Sequence, residues 1–279
     1  MKFSLNTCTG SGQPLSEIVE AAKAAGITAF DLSATPECDH LQAADGREAS
    51  ARLRPLFEGC QIVAVSAEHP DLARQEDEGG DEAVTFTVDA IKRAAELGAG
   101  VVVTSLGNTD VDAWDTTWER GMTALRMVLH QTIRTRVRLA VEITPDDMLN
   151  SLKRVRRLLA SIEDPRLGLS LDTGFLYYHR MQLSEVLQLA GERIHNVHLR
   201  DASRNHSHRS FGAGEVRFPP ILRALRQHGY DGALSLCLGT PRSPLEAPLT
   251  EALAAALARL AEVSPSTEPK PPLASDTGN

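Results

Sequence analysis

"LGLSLDTGFLYYHRMQLSEVLQLAGERIHNVHLRD", residues 167–201, decides the fold class. Leu167, Leu169 and Leu171 alternate with small residues, the pattern of a strand whose two faces differ in size. Ile194–Leu199 is a second short, apolar-rich run. Between them "LSEVLQLA" spaces its large apolar residues three and four apart and stops at Gly191, which reads as a helix near 182–190. Strand, helix, strand in so short a span is one βαβ unit. Its strands must lie parallel, because a helical crossover returns the chain to the same end of the sheet.

The unit recurs in both directions. Upstream lie "KFSLN" (2–6), "TAFDLS" (28–33), "QIVAVSAE" (61–68), "GVVVTSLG" (100–107) and "VRLAVEIT" (137–144). Helical patterns separate them at 14–26, about 46–58, 81–98, about 112–135 and about 147–162. Downstream come a helix near 218–228, the strand "GALSLCLG" (232–239) and an Ala/Leu helix over about 246–262. Eight such units close naturally into a single-domain (β/α)8 TIM barrel of the α/β class, expected over residues 1–262. An open doubly wound sheet is the alternative, but "CTGSGQP" (8–14) lacks the GxGxxG spacing that fold carries after its first strand. The Pro/Ser/Thr-rich stretch 263–279 is expected to be disordered.

Bulk properties narrow the function. A net charge of −8 argues against a nucleic-acid partner, which calls for a basic stripe. The four cysteines are scattered without a CxxC pair, so neither a zinc knuckle nor a disulfide framework is expected. No apolar run nears the roughly 18 residues of a membrane helix, and nothing like a signal peptide opens the chain. The expectation is a cytoplasmic protein acting on a small molecule, with a homo-oligomer possible.

Catalytic groups of such barrels gather at the C-terminal ends of the strands. Reading only those positions selects Glu142, Asp172 and His198, from successive strands and each flanked by apolar neighbours. Adjacent strands lie about 4.8 Å apart, so three inward tips can converge. Two carboxylates and an imidazole crowded away from water need a compensating cation or proton. Mixed oxygen and nitrogen donors suit Mn²⁺, Mg²⁺, Zn²⁺ or Fe²⁺. Taken singly, each of the three also reads as an ordinary cap, turn or core residue.

These motifs resemble the xylose isomerase-like barrels, the family of sugar isomerases and epimerases, inosose dehydratases and endonuclease IV-type repair enzymes. "VEIT", "LSLDTG", "NVHLRD", "FGAGEVRF" and "GALSLCLG" are similar to its strand-5 to strand-8 segments. The resemblance implies a divalent metal on Glu142, Asp172 and His198, with Glu142 also a catalytic acid/base. It places His208 and Arg209, with His206, on the loop over the mouth as substrate contacts, and His69 beside them from strand 3. His206-Ser207-His208 mimics the Asp-x-His spacing of endonuclease IV, and Arg209 resembles an arginine that holds a substrate hydroxyl or phosphate. His195, three residues before His198, reads as structural. Asp201 is expected to orient His198 or a nearby cation.

Two departures qualify the resemblance. Cys237 stands where the family carries a strand-8 glutamate, and Phe175 where it carries a histidine. Cys237 reads as a soft-metal ligand, a poised thiol, or a small buried hydrophobe, the last being favoured. The resulting expectation is a metal-dependent isomerase, epimerase or lyase acting on a sugar-like carbonyl compound through an enediolate. Loss of the glutamate tilts it toward chemistry with one base, and Phe175, Tyr177 and Tyr178 suggest a less polar pocket. Alternatives are a metal-free ligand-binding or partner-subunit barrel and, with little support from charge, repair at abasic sites.

Overall fold

The computed structural model describes residues 1–74, 80–107, 114–145 and 148–261. Eight parallel strands form its centre: β1 (Lys2–Asn6), β2 (Ala29–Thr35), β3 (Gln61–Ser66), β4 (Val101–Thr104), β5 (Arg138–Glu142), β6 (Leu167–Asp172), β7 (Ile194–Leu199) and β8 (Ala233–Leu236). Each pairs with the next, and β1 pairs with both β2 and β8, so the sheet closes on itself. This is the (β/α)8 barrel.

The helices α1 (Leu15–Ala24), α2 (Arg47–Leu53), α3 (Gly80–Leu97), α4 (Trp114–Gln131), α5 (Leu152–Ser161), α6 (Thr173–Tyr178), α7 (Leu183–Ala190), α8 (Phe218–Gln227) and α9 (Leu249–Ala261) surround it. No helix among the described residues is long and apolar enough to cross a membrane.

Several boundaries differ from the sequence expectation. Helix α2 ends at Leu53, ahead of Pro55, which has no backbone N–H with which to continue the helical ladder. The helix expected from about 147 starts at Leu152, after a turn. The expected start of α4 at 112, the first residue of the 147–162 helix, and the tail 263–279 lie outside the described residues. Strand β8 ends at Leu236, one residue short of Cys237. Two short hairpins decorate the C-terminal rim: Cys38–Asp39 folds back on β2, and Asp201–Ser203 pairs with His206–Arg209.

The apolar core lies mainly between barrel and helices, with Phe30, Leu32, Val102, Leu139, Leu169 and Trp118 fully enclosed there. Inside the barrel a second, small cluster of Ala64, Val101, Val103 and Ala140 seals the N-terminal half. Above it the lining turns polar. Register explains the layers, because paired residues on parallel strands point the same way. Glu142 pairs with Ser170 and Ser170 with Asn196; Asp172 pairs with His198 and His198 with Ser235. Every one of these side chains is buried.

Candidate functional site

His198 sits at the centre of the polar layer. Its Nε2 lies 2.7 Å from Oδ2 of Asp31, which β2 presents from elsewhere on the barrel wall. Asp31 in turn accepts a hydrogen bond from Ser66 Oγ (2.9 Å), and Ser66 accepts one from Asn6 Nδ2 (3.2 Å). On the other side of the ring, Nδ1 is 2.6 Å from Oε1 of Glu142. That oxygen also accepts from Ser170 Oγ at 2.8 Å, and Ser170 accepts from Asn196 Nδ2. The row Asn6–Ser66–Asp31–His198–Glu142–Ser170–Asn196 thus crosses the barrel. A carboxylate on Nε2 orients the ring and selects its tautomer, the usual outer-shell arrangement for a ligating imidazole.

The chain therefore uses Asp31 for the role expected of Asp201. Asp201 is buried but faces its own loop, accepting backbone N–H bonds from Ala202, Gly212, Gly214 and Val216. A Cβ on Gly214 would run into the Asp201 carboxyl and the Ala202 carbonyl, so this turn requires glycine. Asp201 shapes the loop and does not touch His198.

Glu68 adds a second carboxyl that sequence reasoning placed at a strand end but did not select. Its ligand atoms, with those of Glu142 and His198, all lie within 4.8 Å of one another. The residue is half-buried while its carboxyl is enclosed; burial and the adjacent Glu142 push it well above the ordinary carboxylate range. Burial also acts to raise Glu142, but His198, Arg200 and Ser170 bring it below its ordinary value. The opposite shifts favour the proton on Glu68 and the charge on Glu142. For His198 burial opposes the charge, while Cys237, Glu142 and Asp31 raise its value well above normal. Burial pushes the Cys237 thiol up to about 12, so near neutrality it carries no charge and the two carboxylates are the effective partners.

Asp172 is differently engaged. Its Oδ1 caps α6, accepting from the N–H groups of Gly174 (2.9 Å) and Phe175 (3.0 Å). Its Oδ2 accepts from Arg200 Nε at 2.7 Å. Burial raises the Asp172 carboxyl and Arg200 draws it back. Burial prevails and leaves its value raised, while the close guanidinium and two N–H donors favour the ionised form. Arg200 was not singled out from sequence, where it is one of many arginines.

The other candidates separate. His208 turns inward, its Nδ1 accepting from Arg200 Nη1 (2.9 Å) and its Nε2 donating to the Leu238 carbonyl (3.2 Å). Burial and then Arg200 lower it to about 4, so it stays neutral. His206 and Arg209, also on the rim hairpin, are exposed, and neither side chain hydrogen-bonds or ion-pairs with the cluster. His69 is pinned aside, accepting from the Asp71 N–H (3.2 Å) and packing on Phe86. His195 faces the helices and contacts Arg138. The three aromatics also have separate fates: Phe175 lies under the Arg200 guanidinium, Tyr177 donates to Glu215, and Tyr178 is exposed.

Cys237 Sγ reaches only the Ser235 carbonyl, at 3.8 Å. A neutral, buried thiol fits the small-hydrophobe reading and not the poised thiol.

The donor chemistry fits a divalent ion on one side. His198 Nδ1 is a buried nitrogen with no aligned hydrogen bond despite the nearby Glu142 oxygen, and a divalent ion there would displace its proton and take up the lone pair. Two sets of donors converge, Glu68–Glu142–His198 and Asp172–His198–Cys237, each within 4.8 Å. On the Asp172 side Arg200 already stands.

A profile of xylose isomerase-like TIM barrels matches residues 19–262. A ketose 3-epimerase of Arthrobacter globiformis is 27% identical over 175 residues, covering 60% of this chain and 57% of that protein. The chain thus matches little more than half the length of this curated relative. A D-tagatose 3-epimerase-like protein superposes with a TM-score of 0.78 at 19% identity, over 94% of this chain and 97% of the other. The IOLI protein, described with a bound zinc atom, gives 0.77 at 16% over 94% and 98%. The 3-keto-D-glucoside 4-epimerase YcjR of E. coli gives 0.75 at 17% over 94% and 99%. At these identities the structural likeness speaks to fold alone.

Proposed function

The chain belongs to the xylose isomerase-like TIM barrel family, and from that premise we propose that it is an isomerase or epimerase of ketose-like, polyhydroxylated carbonyl compounds. The observation that carries this reading is the convergence of Glu68, Glu142 and His198 within 4.8 Å at the C-terminal mouth. Moving a proton at the carbon beside a carbonyl needs a base to take it and donors that stabilise charge on the oxygen. Glu142, ionised and braced by Ser170, is the base. Glu68, protonated beside it, returns a proton to carbon or oxygen. A second carboxyl restores the two-group chemistry that Cys237 alone would deny, which favours isomerisation or epimerisation over elimination.

A divalent ion, held by His198 and Glu142 with Glu68 alongside and drawing on Asp172 only where it displaces Arg200, would polarise the carbonyl and stabilise the enediolate. The protein's share is positional: Asp31 fixes the His198 ring, and the closed apolar layer below excludes water from the buried carboxylates.

The test is proton exchange. Ketohexoses, tagatose and allulose among them, incubated with protein and Mn²⁺ in D₂O, are expected to incorporate deuterium next to the carbonyl and yield an isomer. Glu142→Gln is expected to abolish both. No exchange with any ketose, or equal exchange by Glu142→Gln, overturns the reading.

A further inference from the structure

We infer that Arg200 is a built-in cation of the site, holding Asp172 and competing with a divalent ion for that carboxylate. The inference rests on the reading that such an ion binds here. It begins from saturation: Asp172 Oδ1 is committed to two backbone N–H donors, and Oδ2 takes Arg200 Nε at 2.7 Å. A metal using Oδ2 would sit against a guanidinium, and two positive charges on one oxygen repel.

Arg200 is held in a shaped cradle, which distinguishes it from a surface arginine that happens to fold inward. It is 7% exposed. The Phe175 ring lies 4.5 Å from the guanidinium carbon, a stacked cation–π contact. Nη1 donates to His208 Nδ1, and His208 is itself fixed by the Leu238 carbonyl. Thr173 grips the Arg200 backbone twice, its Oγ1 accepting from the amide N–H and donating to the carbonyl. Gly174 leaves room for the stem; a Cβ there would stand 3.0 Å from Arg200 Cγ and Cδ. Just past the end of β8, Cys237 offers a thiol and no carboxylate that would tip the balance toward a doubly charged ion.

The arrangement has two exclusive states. In one, the guanidinium neutralises Asp172 and metal affinity is low. In the other, an ion takes Asp172 and Arg200 is displaced from its oxygen. Removing the guanidinium should therefore strengthen metal binding, the opposite of what removing a supporting residue does.

Mn²⁺ binding to the full chain, followed by titration calorimetry, reads this directly. Arg200→Met, which keeps much of the stem's packing, is expected to bind Mn²⁺ at least tenfold more tightly than the unaltered protein, with Arg200→Lys in between. Unchanged or weaker binding by a folded Arg200→Met overturns the inference. Should that variant not fold, the wild-type chain labelled with ¹⁵N-arginine gives a second reading. The buried Arg200 Nε–H signal is expected to be protected from exchange and to lose that protection on saturation with Zn²⁺; a signal unmoved by saturating Zn²⁺ overturns the inference. Ketose exchange is scored separately. Tightened binding without turnover counts against the proposed reaction only, and turnover without tightened binding counts against the competition only.

Discussion

Replacing Asp31 by asparagine isolates the outer support of His198. The side chain keeps its shape, and its oxygen still accepts from Ser66 Oγ at the 2.9 Å contact. The group facing His198 Nε2 becomes an amide, in place of a carboxylate at 2.7 Å. If the amide NH₂ faces the ring, Nε2 must give up its proton to become the acceptor, and the remaining proton stays on Nδ1 beside Glu142. Loss of a charge-assisted hydrogen bond costs about 1.5–3 kcal/mol, and an unpaired buried charge raises this toward about 3–5 kcal/mol. Both residues are almost wholly enclosed, so solvent screening does not reduce the figure. The expected destabilisation is about 2–3 kcal/mol near pH 6. Its pH dependence has a definite sign. The His198 value is raised in the folded state, so the associated stability is fully present below the unfolded value of about 6.5 and disappears as pH climbs through the raised one. The gap between wild type and Asp31→Asn therefore narrows at alkaline pH. Urea unfolding at several pH values measures the gap, and Mn²⁺ titration should show an affinity loss of about 10–100-fold. Equal stability and equal metal affinity, or a gap that widens with pH, would refute the reasoning.

Two other outcomes follow from the same cluster and from the opposite face of the sheet. Glu68→Gln replaces a protonated carboxyl by an amide that can still donate to Glu142, so stability should change by less than about 1 kcal/mol while turnover falls about 10²–10⁴-fold; a large stability loss or full activity contradicts the assigned protonation. His195, lowered to about 4 by burial and then by Arg138 and Arg193, stays neutral when folded, so the unfolded chain gains the proton first and stability is lost as pH falls from about 6.5 toward 4. From pH 7 to pH 5 this amounts to about 2 kcal/mol, and His195→Gln should lose that much less over the interval in urea melts; an unchanged slope rules the histidine out as the source.

The barrel was legible in the chain because its signals are local. Strand and helix periods repeat within a few residues, and Glu142, Asp172 and His198 announce themselves by standing at strand ends. Partner choice was not local. Asp31 meets His198 across 167 positions of sequence, and only closure of β1 onto both β2 and β8 puts them on one lining. Asp201, three residues from His198, looked the better partner, yet it lies past the strand end and turns into its own loop. His206 and His208 show the same limit: two residues apart on an irregular hairpin strand, one is exposed and one is hydrogen-bonded to Arg200. Arg200 carried no mark of its own until folding set it on Asp172. Periodicity specifies which way a side chain points relative to its own element. Which charges then share one buried space is decided by barrel closure and register, because ionised groups brought out of water must be matched there by whatever the opposite wall supplies.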